Sequence, residues 1–302
     1  MILEYSISSL NQIAELPKLR TAQITLNGRQ FPSKRQTVSL LRRMSPYHNT
    51  KIIIHYDFIY VASRFAMFND SVQDAIVNEI VDILKYSETD KLVSGIVMHT
   101  DFPIKKKYVN NGKIKPNVSE SYTGTLWNTD AVVELTQDLD TLLVKNLDHF
   151  YNKIKEKYTG STNCKIFLEN TTHVPDYNDT IGSVSYLKDY IIKNNRQDLF
   201  GLCYDTEHGF AVDGVFPSIE LLSTLNKELP LMVHLNTIPK GIKPKSKKDR
   251  HSTTTIYDCS VNSAETYLEY VSFLRESNIL FVREVKEDTM FEEVGIYTNY
   301  NS

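Results

Sequence analysis

FGLCYDTEHGFAVDG, residues 200–214, joins an apolar run, Phe200 to Cys203, to two polar residues spaced three apart, Asp205 and His208. An unbroken apolar run of strand length is what a strand covered on both faces looks like, and such strands build parallel sheets. The polar pair then stands where the strand is expected to give way to a loop. Runs of this kind recur along the chain, at Ile2 to Ser6, Ala22 to Leu26, Ile52 to Phe58, Gly95 to Thr100, Lys165 to Asn170, Phe200 to Thr206, Leu231 to Asn236 and Ile279 to Val285.

Between the runs lie segments of helical period. Ser71 to Tyr86 sets Val72, Ala75, Ile76, Ile80, Ile83 and Leu84 on one stripe, with Ser71 and Asp74 as a capping box. A second segment carries Leu135, Leu139, Leu142, Leu147, Phe150 and Ile154, and others span about Ser183 to Lys193, Ser218 to Lys227 and Ala264 to Arg275. Strand and helix alternating in this way predict an α/β fold of the (β/α)8 TIM-barrel type, with an open doubly wound sheet as the alternative. Only about fifteen residues follow the last run, so the eighth helix is short or missing, and Asp101 to Asn128 forms a long insertion after strand four. No linker, repeat or low-complexity tract divides residues 1–302, which are taken as one barrel domain.

The chain is 41% hydrophobic with 11 Gly, in the range of globular proteins. It has no apolar stretch of the ~18 residues needed to span a bilayer, and its first residues lack the basic start and apolar run of a secretory leader. An intracellular protein with no membrane partner is expected, in cytoplasm or nucleus. Cys164, Cys203 and Cys259 are too few and too scattered for a disulfide framework or a thiolate zinc site, which leaves His and carboxylates to hold any metal. The net charge of -3 offers no overall attraction to nucleic acid, but two connections are locally basic. The insertion holds Lys105, Lys106, Lys107, Lys113 and Lys115 beside Tyr108, Tyr122 and Trp127; a later loop sets Lys240, Lys243, Lys245, Lys247, Lys248 and Arg250 against the single acid Asp249. Both follow a strand, on the face where barrel enzymes place their chemistry.

In a barrel the C-terminal strand ends ring one mouth. Those ends carry His55, His99, Glu169, Asp205, His208, His234 and Glu284, and the later basic loop adds Asp249 and His251. A lone strand-end His or Glu is an ordinary hydrogen-bonded residue. Five imidazoles and four carboxylates around one mouth would repel or need protons unless cations sit among them. Mixed nitrogen and oxygen donors suit Zn2+, with Mn2+ or Fe2+ as alternatives. The other histidines, His48, His149 and His173, read as surface or loop residues.

The ordered series IIIHYDF at His55, VMHTDF at His99, IFLEN at Glu169, GLCYDTEHGFAVDG at Asp205 and His208, VHLN at His234, KKDRH at Asp249 and His251, and VREV at Glu284 resembles the endonuclease IV family, metal-dependent barrel nucleases that incise DNA at abasic sites. The resemblance covers nearly the whole chain. It implies three zinc ions, the first on His55, His99 and Glu169, the second on Glu169, Asp205, His234 and Glu284, and the third on His208, Asp249 and His251. The implied activity is that of an apurinic/apyrimidinic endonuclease of DNA repair. It would hydrolyse the phosphodiester 5′ to an abasic site in double-stranded DNA, with Glu169 central to catalysis, 3′-end trimming as a related activity, and a monomer as the working unit.

For DNA contacts the resemblance points to Arg29 and Gln30 in NGRQF, to Phe58 where the family has a wedging Tyr, and to the lysines and arginine of the later basic loop, Lys240, Lys243, Lys245, Lys247, Lys248 and Arg250. The chain departs from the family pattern at Thr100, Asp101 and Thr237 and near Ser6, positions that support ligands rather than supply them. A UV-damage-type endonuclease, a sugar isomerase or epimerase-like metal barrel, and an inactive lesion-binding homologue are the competing readings.

Overall fold

The computed structural model describes residues 5–7, 21–25, 51–56, 70–100, 109–110, 113–114, 139–170, 183–213, 216–238 and 264–284. Its eight parallel strands pair in chain order, β1 (Tyr5–Ile7), β2 (Thr21–Thr25), β3 (Lys51–Tyr56), β4 (Val93–His99), β5 (Lys165–Glu169), β6 (Phe200–Asp205), β7 (Leu231–His234) and β8 (Leu280–Val282). The barrel is nearly closed: just past β8, Glu284 Oε1 accepts a 2.5 Å hydrogen bond from Gln23 Nε2 of β2. The (β/α)8 expectation is met. Helices α1 (Asp70–Asp90), α2 (Leu139–Lys157), α3 (Val184–Lys193), α4 (Thr206–Asp213), α5 (Ile219–Glu228) and α6 (Ala264–Glu276) fill the connections. No described helix is long and apolar enough to cross a membrane.

Two apolar layers explain the continuous apolar runs. Outward-facing Ile52, Ile54, Ile96, Met98, Ile166 and Leu168 are buried with Ile76, Ile80 and Ile83 of α1 and Leu147, Phe150 and Ile154 of α2. Inside, Ile53, Val97, Phe167, Cys203, Met232 and Val282 form a separate cluster, one residue from each strand β3 to β8. Phe167 is its largest member, and the neighbouring strands make room for it with glycine. A Cβ at Gly95 would lie 2.7 Å from the Phe167 ring, and one at Gly201 would lie 2.8 Å from the ring and 2.7 Å from the Pro230 carbonyl oxygen.

Several expectations change. Helix α1 begins at Asp70, so Ser71 falls within the helix rather than ahead of it. His149 is not a loop residue but a half-buried member of α2, with Nε2 2.9 Å from Gln73 Oε1 of α1. β6 gives way directly to α4, not to a loop. Several strands stop one to three residues before the apolar runs do, because side-chain hydrogen bonds replace the backbone ladder at the mouth. Within the insertion, Val109–Asn110 and Lys113–Ile114 pair as an antiparallel hairpin. The eighth helix, His48, His173, Cys259 and Leu135 lie outside the described residues.

Gly95→Ala should destabilise the fold by about 1–3 kcal/mol through overpacking. Phe167→Leu in the same chain should recover part of that loss, since only the ring is in the way. Gly201→Ala should not be rescued, because the Pro230 carbonyl is backbone. Urea unfolding of the single and double variants measures this.

Candidate metal centre

Each candidate ligand on β3 to β8 lies two residues beyond a member of the inner cluster: Ile53 and His55, Val97 and His99, Phe167 and Glu169, Cys203 and Asp205, Met232 and His234, Val282 and Glu284. Strand side chains alternate with period two, so the same face that fills the barrel one layer down presents six polar groups at its mouth. The apolar layer is their floor.

Glu169, 1% exposed, stands at the centre. Its Oε2 is 3.2 Å from His55 Nε2 and 3.5 Å from His99 Nε2, while its Oε1 is 3.3 Å from His208 Nδ1 and 3.4 Å from His234 Nδ1. The two imidazoles on the first side also face each other, Nε2 to Nε2, at 3.2 Å. His234 Nδ1 lies 3.4 Å from Glu284 Oε2 and 3.7 Å from Asp205 Oδ2, yet this buried nitrogen makes no hydrogen bond. A tetrahedral ion with bonds of about 2.0–2.1 Å sets its donors roughly 3.3–3.4 Å apart, whereas charged hydrogen bonds close to about 2.7–2.9 Å. The separations here match ligands around a common ion. The described residues offer four overlapping groups able to hold a metal, among them His55 with His234 and Glu284; two match the expected sets, His55 with His99 and Glu169, and Glu169 with Asp205, His234 and Glu284, each with ligand atoms within 4.8 Å of one another. Glu169 belongs to both.

Neighbouring groups fix the orientations. Asp205 Oδ1 accepts the backbone N–H of Glu207 and of His208, at 2.8 and 2.9 Å, which makes it the N-cap of α4 and turns Oδ2 toward His234. His208 Nδ1 donates to the Asn170 carbonyl at 2.9 Å, so Nε2 is its lone-pair nitrogen. Thr100 Oγ1 donates to the Glu169 carbonyl at 2.6 Å, and the buried Arg283 donates to Thr237 Oγ1 at 3.3 Å. The two threonines at departing positions therefore act as braces. Cys203 Sγ shares a third set with Glu169 and His234, but burial pushes its thiol up to about 12, so it is not a thiolate at neutral pH.

Burial alone would raise the Glu169 pKa; the His99 and His234 imidazoles overcome it and hold the carboxyl well below the usual carboxylate range. For His234 burial works against the proton, but Cys203, Glu284 and Glu169 lift its pKa well above the ordinary imidazole value. Without a cation, a proton takes its place. Among the described ligands the more open are His99 and Glu284, with side chains 17% and 14% exposed.

Seven of the nine predicted ligands are thus gathered at one mouth. Six of them make up the two sets; the seventh, His208, stands beside Glu169 in neither, and its expected companions Asp249 and His251 lie outside the described residues. So do Arg29, Gln30, Phe58, Lys240, Lys243, Lys245, Lys247, Lys248 and Arg250. Sequence reading missed Gln23, buried in β2, whose signal was a polar residue inside an apolar run.

No family model matches the chain, and no curated protein matches it in sequence. Among solved structures, endonuclease IV from Thermus thermophilus is 14% identical with a TM-score of 0.56 over 99% of this chain and 97% of that one. A xylose isomerase domain protein from Planctomyces limnophilus is 13% identical with a TM-score of 0.55 over 100% of this chain and 94% of that one. At such identity the likeness is one of fold.

Glu169→Gln should lower bound zinc at both sets, whereas His99→Ala should thin only the first; metal analysis of the purified variants separates the two outcomes. Zinc affinity should fall as the pH drops, beginning well above the ordinary imidazole value, because the raised His234 pKa lets a proton compete with the ion for Nδ1. A competition titration at several pH values checks the sign.

Proposed function

We propose that this protein is a zinc-dependent DNA repair nuclease that hydrolyses the phosphodiester 5′ to an abasic site. The observation that carries the proposal is the Glu169 carboxylate, whose two oxygens each face a different pair of imidazoles and so join two ligand sets through one side chain. Paired ions in such sets supply Lewis acidity, a nucleophile from water at neutral pH and charge to stabilise the leaving oxygen. The donor chemistry fits zinc: among the described residues imidazole nitrogens share the sets with carboxylates, whereas Mg2+ and Ca2+ take oxygen ligands.

The chain's own part is placement. His55 and His99 present Nε2, His234 presents Nδ1, and Glu169 holds the two sets in register. His208 offers a lone-pair nitrogen on the far side of Glu169, where Asp249 and His251 would complete a third set. Arg29, Gln30, Phe58 and the Lys240 to Arg250 loop are the proposed DNA contacts. Trimming of blocked 3′ ends would use the same centre.

A second reading, a metal-dependent sugar isomerase, draws on the equal structural likeness to the xylose isomerase domain protein. The joined, imidazole-rich sets favour phosphodiester hydrolysis, since a phosphate brings the charge that two or three cations offset.

Zinc-loaded protein should cut a duplex carrying one abasic analogue immediately 5′ to it, read on a denaturing gel. Glu169→Gln should slow cutting by ~10³-fold or more, as expected when several kcal/mol of charge stabilisation is lost. Uncut duplex with fully metallated protein, together with aldose–ketose interconversion, would decide for the isomerase.

A further inference from the structure

Gln23 is fully buried in the β2 position that pairs with Ile53, one layer below the ligands, among residues that are otherwise apolar. Its side chain reaches across the barrel to two candidate ligands on different strands. Nε2 is 2.5 Å from Glu284 Oε1, and Oε1 is 2.9 Å from His234 Nε2. The amide has one orientation that works here: a carboxylate can only accept, so the NH2 group faces Glu284, and the carbonyl oxygen left facing His234 can only accept in turn. His234 must therefore carry its proton on Nε2. Its lone pair then lies on Nδ1, the nitrogen that faces Glu169, Asp205 and Glu284.

We propose that Gln23 is the positioning residue of the second ion, selecting the ligating tautomer of His234 while holding Glu284 with Oε2 toward the same point. One neutral side chain does for two ligands what separate outer partners do in other metal sites. Neutrality matters, because a carboxylate at this place would repel Glu284 and a lysine could not accept from His234. The proposal rests on the two-set metal centre of the preceding subsection, and not on which substrate is cut.

The test uses zinc competition titrations and imidazole 15N spectra of the full chain, wild type against Gln23→Met and Gln23→Glu. Gln23→Met keeps the length and loses both hydrogen bonds. It should weaken one zinc ion by about 10–100-fold while sparing the His55, His99 and Glu169 set, and should mix the tautomers of His234 in the zinc-free protein held at an alkaline pH where that ring is neutral. Gln23→Glu retains the acceptor for His234 but not the donor to Glu284; zinc should weaken while the His234 nitrogen signals stay as in wild type. If Gln23→Met does not fold, Gln23→Glu decides alone. Affinities within twofold of wild type in the folded variants overturn the proposal. Weakened zinc in a protein that never cuts abasic duplex leaves this inference standing and removes the nuclease.

Discussion

A carboxylate that is 1% exposed and has four imidazole nitrogens within 3.5 Å is the constraint around which this barrel mouth is built. Burying a charge costs several kcal/mol unless partners offset it, and Glu169 has its partners on both sides. The imidazoles can act as lone-pair donors to cations or as protonated counter-charges, and the spacing of the nitrogens and oxygens is that of donors about an ion. Glu169 is therefore tolerable where it stands only while the groups around it hold their places.

The barrel supplies that rigidity through strand alternation. The step of two residues from Phe167 to Glu169 is repeated on five other strands, so the apolar cluster and the polar ring are successive layers of one inner face. Displacing Phe167 would move Glu169 with it, and the glycines at 95 and 201 let the ring sit against backbone. Packing of this density is what turns a list of ligand types into distances held to fractions of an ångström.

Much of this was legible in the chain itself. Continuous apolar runs bounded the strands to within a few residues, and Ser183 and Ser218 mark the starts of α3 and α5, where their hydroxyls accept the N–H of Tyr186 and Leu221. Ligand types at strand ends were visible because a barrel brings all those ends together. What stayed hidden depends on contacts between residues far apart in sequence. Gln23 and Glu284 are separated by 261 positions, and nothing local to Gln23 marks it as anything but a polar break in a strand. The helix after Asp205 was missed for a different reason. Asp-Thr-Glu is a good helix start, but a strand running straight into a helix without a loop left no turn signal to read.

Past the strand ends the mouth is tied by side chains standing in for the ladder. Asn170 exchanges two hydrogen bonds with the Asp205 backbone, accepting from its N–H at 2.6 Å and donating to its carbonyl at 3.1 Å. Asn236 donates to Asp205 Oδ2 at 2.9 Å and accepts from the Glu284 N–H at 2.9 Å, while Thr206 donates to the His234 carbonyl at 3.1 Å. The ends of β5, β6, β7 and β8 are thus joined through side-chain amide and hydroxyl groups, beside backbone bonds such as that from Leu235 N–H to the Val282 carbonyl at 2.9 Å. Those groups also fix which oxygen of Asp205 is occupied by Asn236 and which by the start of α4. Asp205 thus ties the second set to His208, because a shift of Asp205 would be felt at His234 through the common network and at His208 through the helix it caps.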